Sequence, residues 1–193
     1  MGRIAIPEMV KSGYSPSFAS GAIAAGGTIG ALIPLKGQDL VLRAMVELPE
    51  ARLLIVGHGP DEARLRALAD ELGVAQRAHF LGSVDHDLLP LILSTSNAMV
   101  LPSASEGLAN AWVEALACGT PIIIADVGGA RELVRGAAAG LIVAREPEAI
   151  AKAVRTVLDQ PRAPRETARV VAGFGWAEHA EALDRIYSEI VGR

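Results

Sequence analysis

"ARLLIVGHGPDEARLRALADEL", residues 51–72, carries both periods of the fold in one passage. Its opening run, "LLIV" (53–56), is continuous in aliphatic residues, as a parallel strand covered on both faces should be. A glycine-bearing turn, "GHGP", follows, and then "DEARLRALADEL" reads as an amphipathic helix. The same couplet recurs in both directions. Upstream, "TIGALI" (28–33) reads as a strand, and "GQDLVLRAMVEL" (37–48) sets Leu40, Val41, Ala44, Met45 and Leu48 on one helical face. Downstream, the strands are "AHFLG", "NAMVLPS", "PIIIAD" and "GLIVA". They alternate with the helices "DLLPLILSTS", "ANAWVEALAC" and "ARELVR", and the tail from Glu146 onward is helical. Six strands, each followed by a helix, predict an α/β fold: a single Rossmann-like, doubly wound parallel sheet with right-handed connections and C-terminal helices.

Composition agrees. Half the 193 residues are hydrophobic but only 4% are aromatic, so Leu, Ile, Val and Ala fill the core. The length suits one α/β domain. A net charge of -4, with no window mixing Lys and Arg with stacking aromatics, disfavours nucleic acid as a partner. Cys118, the one cysteine, has no internal disulfide partner, and four scattered histidines build no metal site around it; this suits a reducing cytoplasm. Its bland role is a small buried residue at a helix end. Residues 1–26 lack the sustained apolar core of a signal peptide and read as a leader or linker remnant, leaving residues 27–193 as the domain. The run from Ala22 to Leu35 is too short and too rich in glycine to span a membrane.

Ligands of such sheets sit beyond the carboxyl ends of the strands, so the loops after strands hold the candidate chemistry. Four stand out: "PLKG", "GHGP", "LPSASEGLAN" and "DVGGARE". In the third, Glu106 lies before a helix and Glu114 upon it, so the two carboxylates face one cavity from different directions. Gly107, Leu108, Ala109 and Asn110 occupy the helix entrance, where unpaired amides and the positive end of the helix dipole attract an anion such as a diphosphate. Lys36 adds a point charge from the first loop. A carboxylate at Glu114 can accept hydrogen bonds from both hydroxyls of a ribose.

These segments resemble the donor-binding, C-terminal half of retaining glycosyltransferases of GT-B fold, family 4. The likeness rests on "GALIPLKG", "LLIVGHGP", "HFLGSV", "LPSASEGLANAWVEALACGTPIIIADVGGAREL" and "FGWAEHAEALDRIY", in the family's order, from Thr28 to the end. The resemblance implies that Glu106 contacts hydroxyls of a donor sugar, that Glu114 holds the ribose, and that the amides of Gly107, Leu108, Ala109 and Asn110 meet sugar and diphosphate. It implies that Lys36 neutralises the leaving phosphates and that Gly57, Gly59, Leu81 and Gly82 border the nucleotide; Glu106 and Lys36 are then the catalytic candidates. The implied reaction is metal-independent hexosyl transfer, with retention, from a nucleoside diphosphate sugar in carbohydrate biosynthesis, with no cofactor besides that substrate. Many relatives carry an arginine five residues before the lysine, where this chain has Ala31. The acceptor-binding N-terminal domain is expected on another chain or missing, and any membrane association would come through that partner. A non-catalytic nucleotide-binding module, or a truncated inactive remnant, is the competing expectation.

Other signals have plainer readings. "DHD" (Asp85, His86, Asp87) spells an acidic metal motif but is expected to cap the following helix. "VGHGPDE" has Glu62 where a dinucleotide fingerprint needs its third glycine, and "PLKGQ" lacks the spacer and hydroxyl of a P-loop. His58 reads as a rim residue without an assignable partner, Trp112 as a buried packing residue, and Glu132 as a first-turn acid. Gly128 and Gly129 either make the turn into the next helix or border the donor.

Overall fold

The run Leu53–Val56 divides between two cores. In a computed structural model, which describes Ala22–Ala25 and residues 32–192, Leu53 and Ile55 point to one face of a sheet while Leu54 and Val56 point to the other. The strands are β1 (Ala22–Ala25), β2 (Arg52–Val56), β3 (Ala78–Gly82), β4 (Ala98–Leu101), β5 (Ile122–Ala125) and β6 (Gly140–Val143). All pairings are parallel, and the order across the sheet is β3-β2-β1-β4-β5-β6. Chain order therefore reverses between β1 and β4, which opens a crevice at their carboxyl ends.

On one face, Val41 and Leu42 of α1 (Gln38–Ala44), Leu65 and Leu68 of α2 (Glu62–Glu71) and Ile150 and Val154 of α6 (Pro147–Asp159) cover Leu53, Ile55, Val100 and Ile123. On the other, α3 (Leu89–Thr95), α4 (Asn110–Ala117) and α5 (Ala130–Leu133) bring Ile92, Trp112, Leu116 and Leu133 against Leu54, Met99, Ile122 and Ile124. Complete burial of each such side chain contributes roughly 1.5–3 kcal/mol, which is why strands this short suffice. Trp112 is fully buried, as its sequence context predicts.

Two expectations are corrected. A strand lies at Ala22–Ala25, inside the stretch expected to be a leader, and Leu32 and Ile33, expected in the first strand, belong to none. Pairing makes that strand: Ala22–Ala25 register with Arg52–Ile55 on one side, and Ile23 and Ala24 with Ala98 and Met99 on the other. Leu32, expected in that strand, instead straps the loop after β2. Its N–H donates to the His58 carbonyl at 2.8 Å, and its own carbonyl accepts the Asp61 N–H at 3.0 Å. Residues 28–31 of the expected strand, with Ala31 among them, and residues 1–21 of the expected leader lie outside the described residues. The second correction concerns "DHD". Helix α3 starts at Leu89 with no side-chain cap, and it is the Asp85 carbonyl, not an aspartate side chain, that accepts the Leu88 N–H at 2.9 Å.

After α7 (Pro164–Arg169), helix α8 (Trp176–Val191) closes the tail that the sequence predicts to be helical. It leaves Leu183, Ile186, Tyr187, Ile190 and Val191 all more than half exposed. No helix among the described residues is long and apolar enough to cross a membrane.

Candidate functional site

Three loops meet at the carboxyl ends of β1 and β4. Pro34–Lys36 forms a single tight turn, closed by the Gly37 N–H on the Pro34 carbonyl at 3.2 Å, and this fixes where Lys36 leaves the chain. The Ala104 N–H donates to the Leu35 carbonyl at 2.8 Å, tying the loop after β4 to it. Gly37 lies against the Pro102 carbonyl so closely that a Cβ there would stand 2.6 Å from the oxygen. From the loop after β6, Arg145 donates its Nε–H to that same oxygen at 2.9 Å.

Within this frame Lys36 Nζ donates to Glu106 Oε1 at 2.6 Å, with the two side chains only 21% and 12% exposed. The two catalytic candidates are thus brought together as an ion pair, which the sequence did not foresee. Helix α4 begins just beyond, with Ala109 extended at its N-cap and no side chain capping its first amides. Asn110 is its first residue and is exposed, as is Leu108, which packs over Gly129. One turn in, Glu114 presents a different picture: its Oε2 is buried and accepts no hydrogen bond among the described residues. The Ser103 hydroxyl and Gln38 Oε1, beside Pro102 and Gly37 in the chain, are buried in the same condition.

The loop after β5 supports this one from behind. Gly128 has φ +49°, and a side chain there would overlap the carbonyls of Glu106 and Gly107; the Gly129 N–H donates to Gly107 O at 2.9 Å. The glycine pair makes the turn into α5 and also seats the Glu106 loop. Glu132 is a first-turn acid, and Arg131 pairs with Asp126 at 2.8 Å.

Gly57, Gly59, Leu81 and Gly82 form a neighbouring group at the ends of β2 and β3. The Gly57 N–H donates to the Gly82 carbonyl at 2.7 Å, and Gly59 is pressed on Leu32, so the segment Leu32–Lys36 links this group to the ion pair. His58 is exposed but does have a partner, with Nδ1 3.1 Å from Glu62 Oε2. Arg66, and then His58, hold the Glu62 carboxyl below its ordinary pKa, and Arg64 does the same to Asp61. Cys118, half-buried at the end of α4, has its thiol pKa pushed up by burial and by Glu114. No cluster of three or more His, Cys, Asp or Glu among the described residues could hold a metal ion. Arg145 is the residue that motif reading missed; its only signal is a cation in "AREP", the loop after the last strand.

Residues 27–171 match the family described as Glycosyl transferases group 1. The chain belongs to that family. It is 35% identical over 177 residues to D-inositol 3-phosphate glycosyltransferase of Mycobacterium tuberculosis, covering 85% of this chain and 37% of the relative. Among solved structures it resembles sucrose-phosphate synthase from Thermosynechococcus elongatus, with a TM-score of 0.80 and 28% identity over 95% of this chain and 48% of that one. Anabaena HepE in complex with UDP shares the fold, with a TM-score of 0.79 at 21% identity over 95% and 52% of the two chains. The α/β, Rossmann-like expectation is borne out, and group 1 membership makes this a glycosyltransferase domain that spans about a third to a half of its relatives' length.

Proposed function

We propose that this chain is the donor-binding, C-terminal domain of a family 4 glycosyltransferase, holding a nucleoside diphosphate sugar for metal-independent transfer with retention. The observation that carries the reading is the Glu114 carboxylate oxygen, buried without a partner one turn into α4. A buried acceptor left unpaired carries its full desolvation penalty, and two ribose hydroxyls would satisfy it. The uncapped amides at Ala109 and Asn110 then face the diphosphate, with Gly107 and Leu108 lining its approach. Lys36 exchanges Glu106 for the phosphates, which frees Glu106 for the hydroxyls of the sugar. As the glycosidic bond breaks, negative charge builds on the leaving phosphate, and a lysine already positioned there stabilises it. Gly57, Gly59, Leu81 and Gly82 border the base.

The chain spans 37% of the length of that curated relative, and transfer would draw on an acceptor-binding domain N-terminal to this one. In the cytoplasm that domain would also carry any membrane contact. Calorimetric titration of the purified chain with UDP, GDP and ADP tests the reading, beside Glu114→Ala and Lys36→Ala. One diphosphate should bind, and more weakly in both variants; no binding by the folded chain at about millimolar ligand would sink it.

A further inference from the structure

The cations at the carboxyl edge of the sheet differ in what already neutralises them. Lys36 is paired with Glu106, His58 with Glu62 and Arg131 with Asp126. Arg145 is different: among the described residues its guanidinium meets only the neutral Pro102 carbonyl, through Nε, and its two terminal nitrogens make no bond. That carbonyl is also the one against which Gly37 packs, next in the chain to Lys36. Arg145, an exposed residue of the loop after β6, thus reaches across the end of β5 to the loop after β4, beside the turn that carries Lys36.

An arginine held through Nε, with its two terminal nitrogens on the far side, keeps a fork that matches a bidentate anion. It also need not break an ion pair to take a ligand, whereas Lys36 must leave Glu106. We infer that Arg145 is a phosphate-binding residue of this site, its terminal nitrogens bonding the oxygens of the nucleoside diphosphate alongside Lys36. The inference rests on the donor reading above and adds to it a residue that lies outside the segments carrying the family resemblance.

The test compares the diphosphate that the wild-type chain binds best, among UDP, GDP and ADP, with its monophosphate, on wild type, Arg145→Gln and Arg145→Lys, with Glu114→Ala alongside. Arg145→Gln should weaken the diphosphate by about tenfold or more and the monophosphate by less, with Arg145→Lys between, because a charged hydrogen-bond partner is lost only where the second phosphate lies. The fall of diphosphate affinity with rising salt should also be shallower in Arg145→Gln. Unchanged diphosphate affinity in Arg145→Gln, while Glu114→Ala weakens it, overturns this inference and leaves the donor reading standing. Equal losses for mono- and diphosphate would reduce Arg145 to a brace for Pro102, which also overturns it. If wild type binds none of the three diphosphates, both readings fall.

Discussion

The two halves of the sheet's carboxyl edge are built from the same materials to different ends. Beyond β2 and β3, the polar groups around the GHGP turn are paired: Glu62 takes both His58 and Arg66, Asp61 takes Arg64, and the Gly57 N–H donates to the Gly82 carbonyl. Beyond β1 and β4, among the described residues, the Glu114 carboxylate, the Ser103 hydroxyl and the Gln38 amide each bury an oxygen without a partner, and Arg145 meets no carboxylate. Native proteins leave few buried polar atoms unpaired, so their concentration on one side of the crevice marks the side prepared for something else to bind. The paired side serves as the brace.

If that division is right, the same kind of change should behave differently on the two sides. Gly128→Ala places a side chain onto the Glu106 and Gly107 carbonyls at φ +49°, so backbone must move. Its cost should be about 2–4 kcal/mol in urea unfolding, with nucleotide binding lost. Gly82→Ala, at φ +67°, meets only the movable His58 ring at 3.0 Å, so about 1 kcal/mol is expected, with nucleotide affinity reduced rather than lost because Gly82 only borders the base. Equal costs would remove the distinction. Next in size, Lys36→Met strands the part-buried Glu106 carboxylate and should destabilise the ligand-free chain by about 1–3 kcal/mol; adding Glu106→Gln should recover much of that. On the brace side Arg66→Met, which removes an exposed pair with Glu62 and the guanidinium over the Phe80 ring, should cost less than Lys36→Met does.

Sequence alone carried the sheet a long way, because a doubly covered strand must be aliphatic on both sides; β2, β4 and β5 could hardly be read otherwise. It failed at β1. "AIAA" has little to distinguish it, and its strand character comes from two neighbouring strands, one 30 residues away (Ala22 beside Arg52) and one 75 away (Ile23 beside Ala98), which local propensity does not register. The site divides in the same way. Glu106, Glu114 and the helix entrance are contiguous and could be read as one motif. The Lys36–Glu106 pair closes over 70 residues, and Arg145 reaches Pro102 over 43, so both depend on topology that spacing does not record.

Glu114 sharpens the contrast further, since stability and binding should move in opposite directions. Glu114→Met removes a buried oxygen that has no partner, so the ligand-free chain should unfold at a slightly higher temperature, by a few degrees, while losing about tenfold or more in nucleotide affinity. A loss of both would mean that Glu114 is part of the brace after all.

The smallest effect concerns pH and belongs to the paired side. Arg64 lowers the Asp61 pKa in the folded chain below its ordinary 3.8, so the folded state binds fewer protons there than the unfolded state does. The contribution is therefore complete above the unfolded value and is lost as pH falls through the folded one. Because Arg64 is about half exposed, the contribution should stay under about 1 kcal/mol. Asp61→Asn should accordingly show a slightly flatter stability profile between about pH 6 and about pH 3 than wild type, with nucleotide affinity at neutral pH unchanged. A steeper profile would contradict the sign, and a change in affinity would mean that the brace and the crevice are coupled through the Leu32 strap, whose carbonyl accepts the Asp61 N–H.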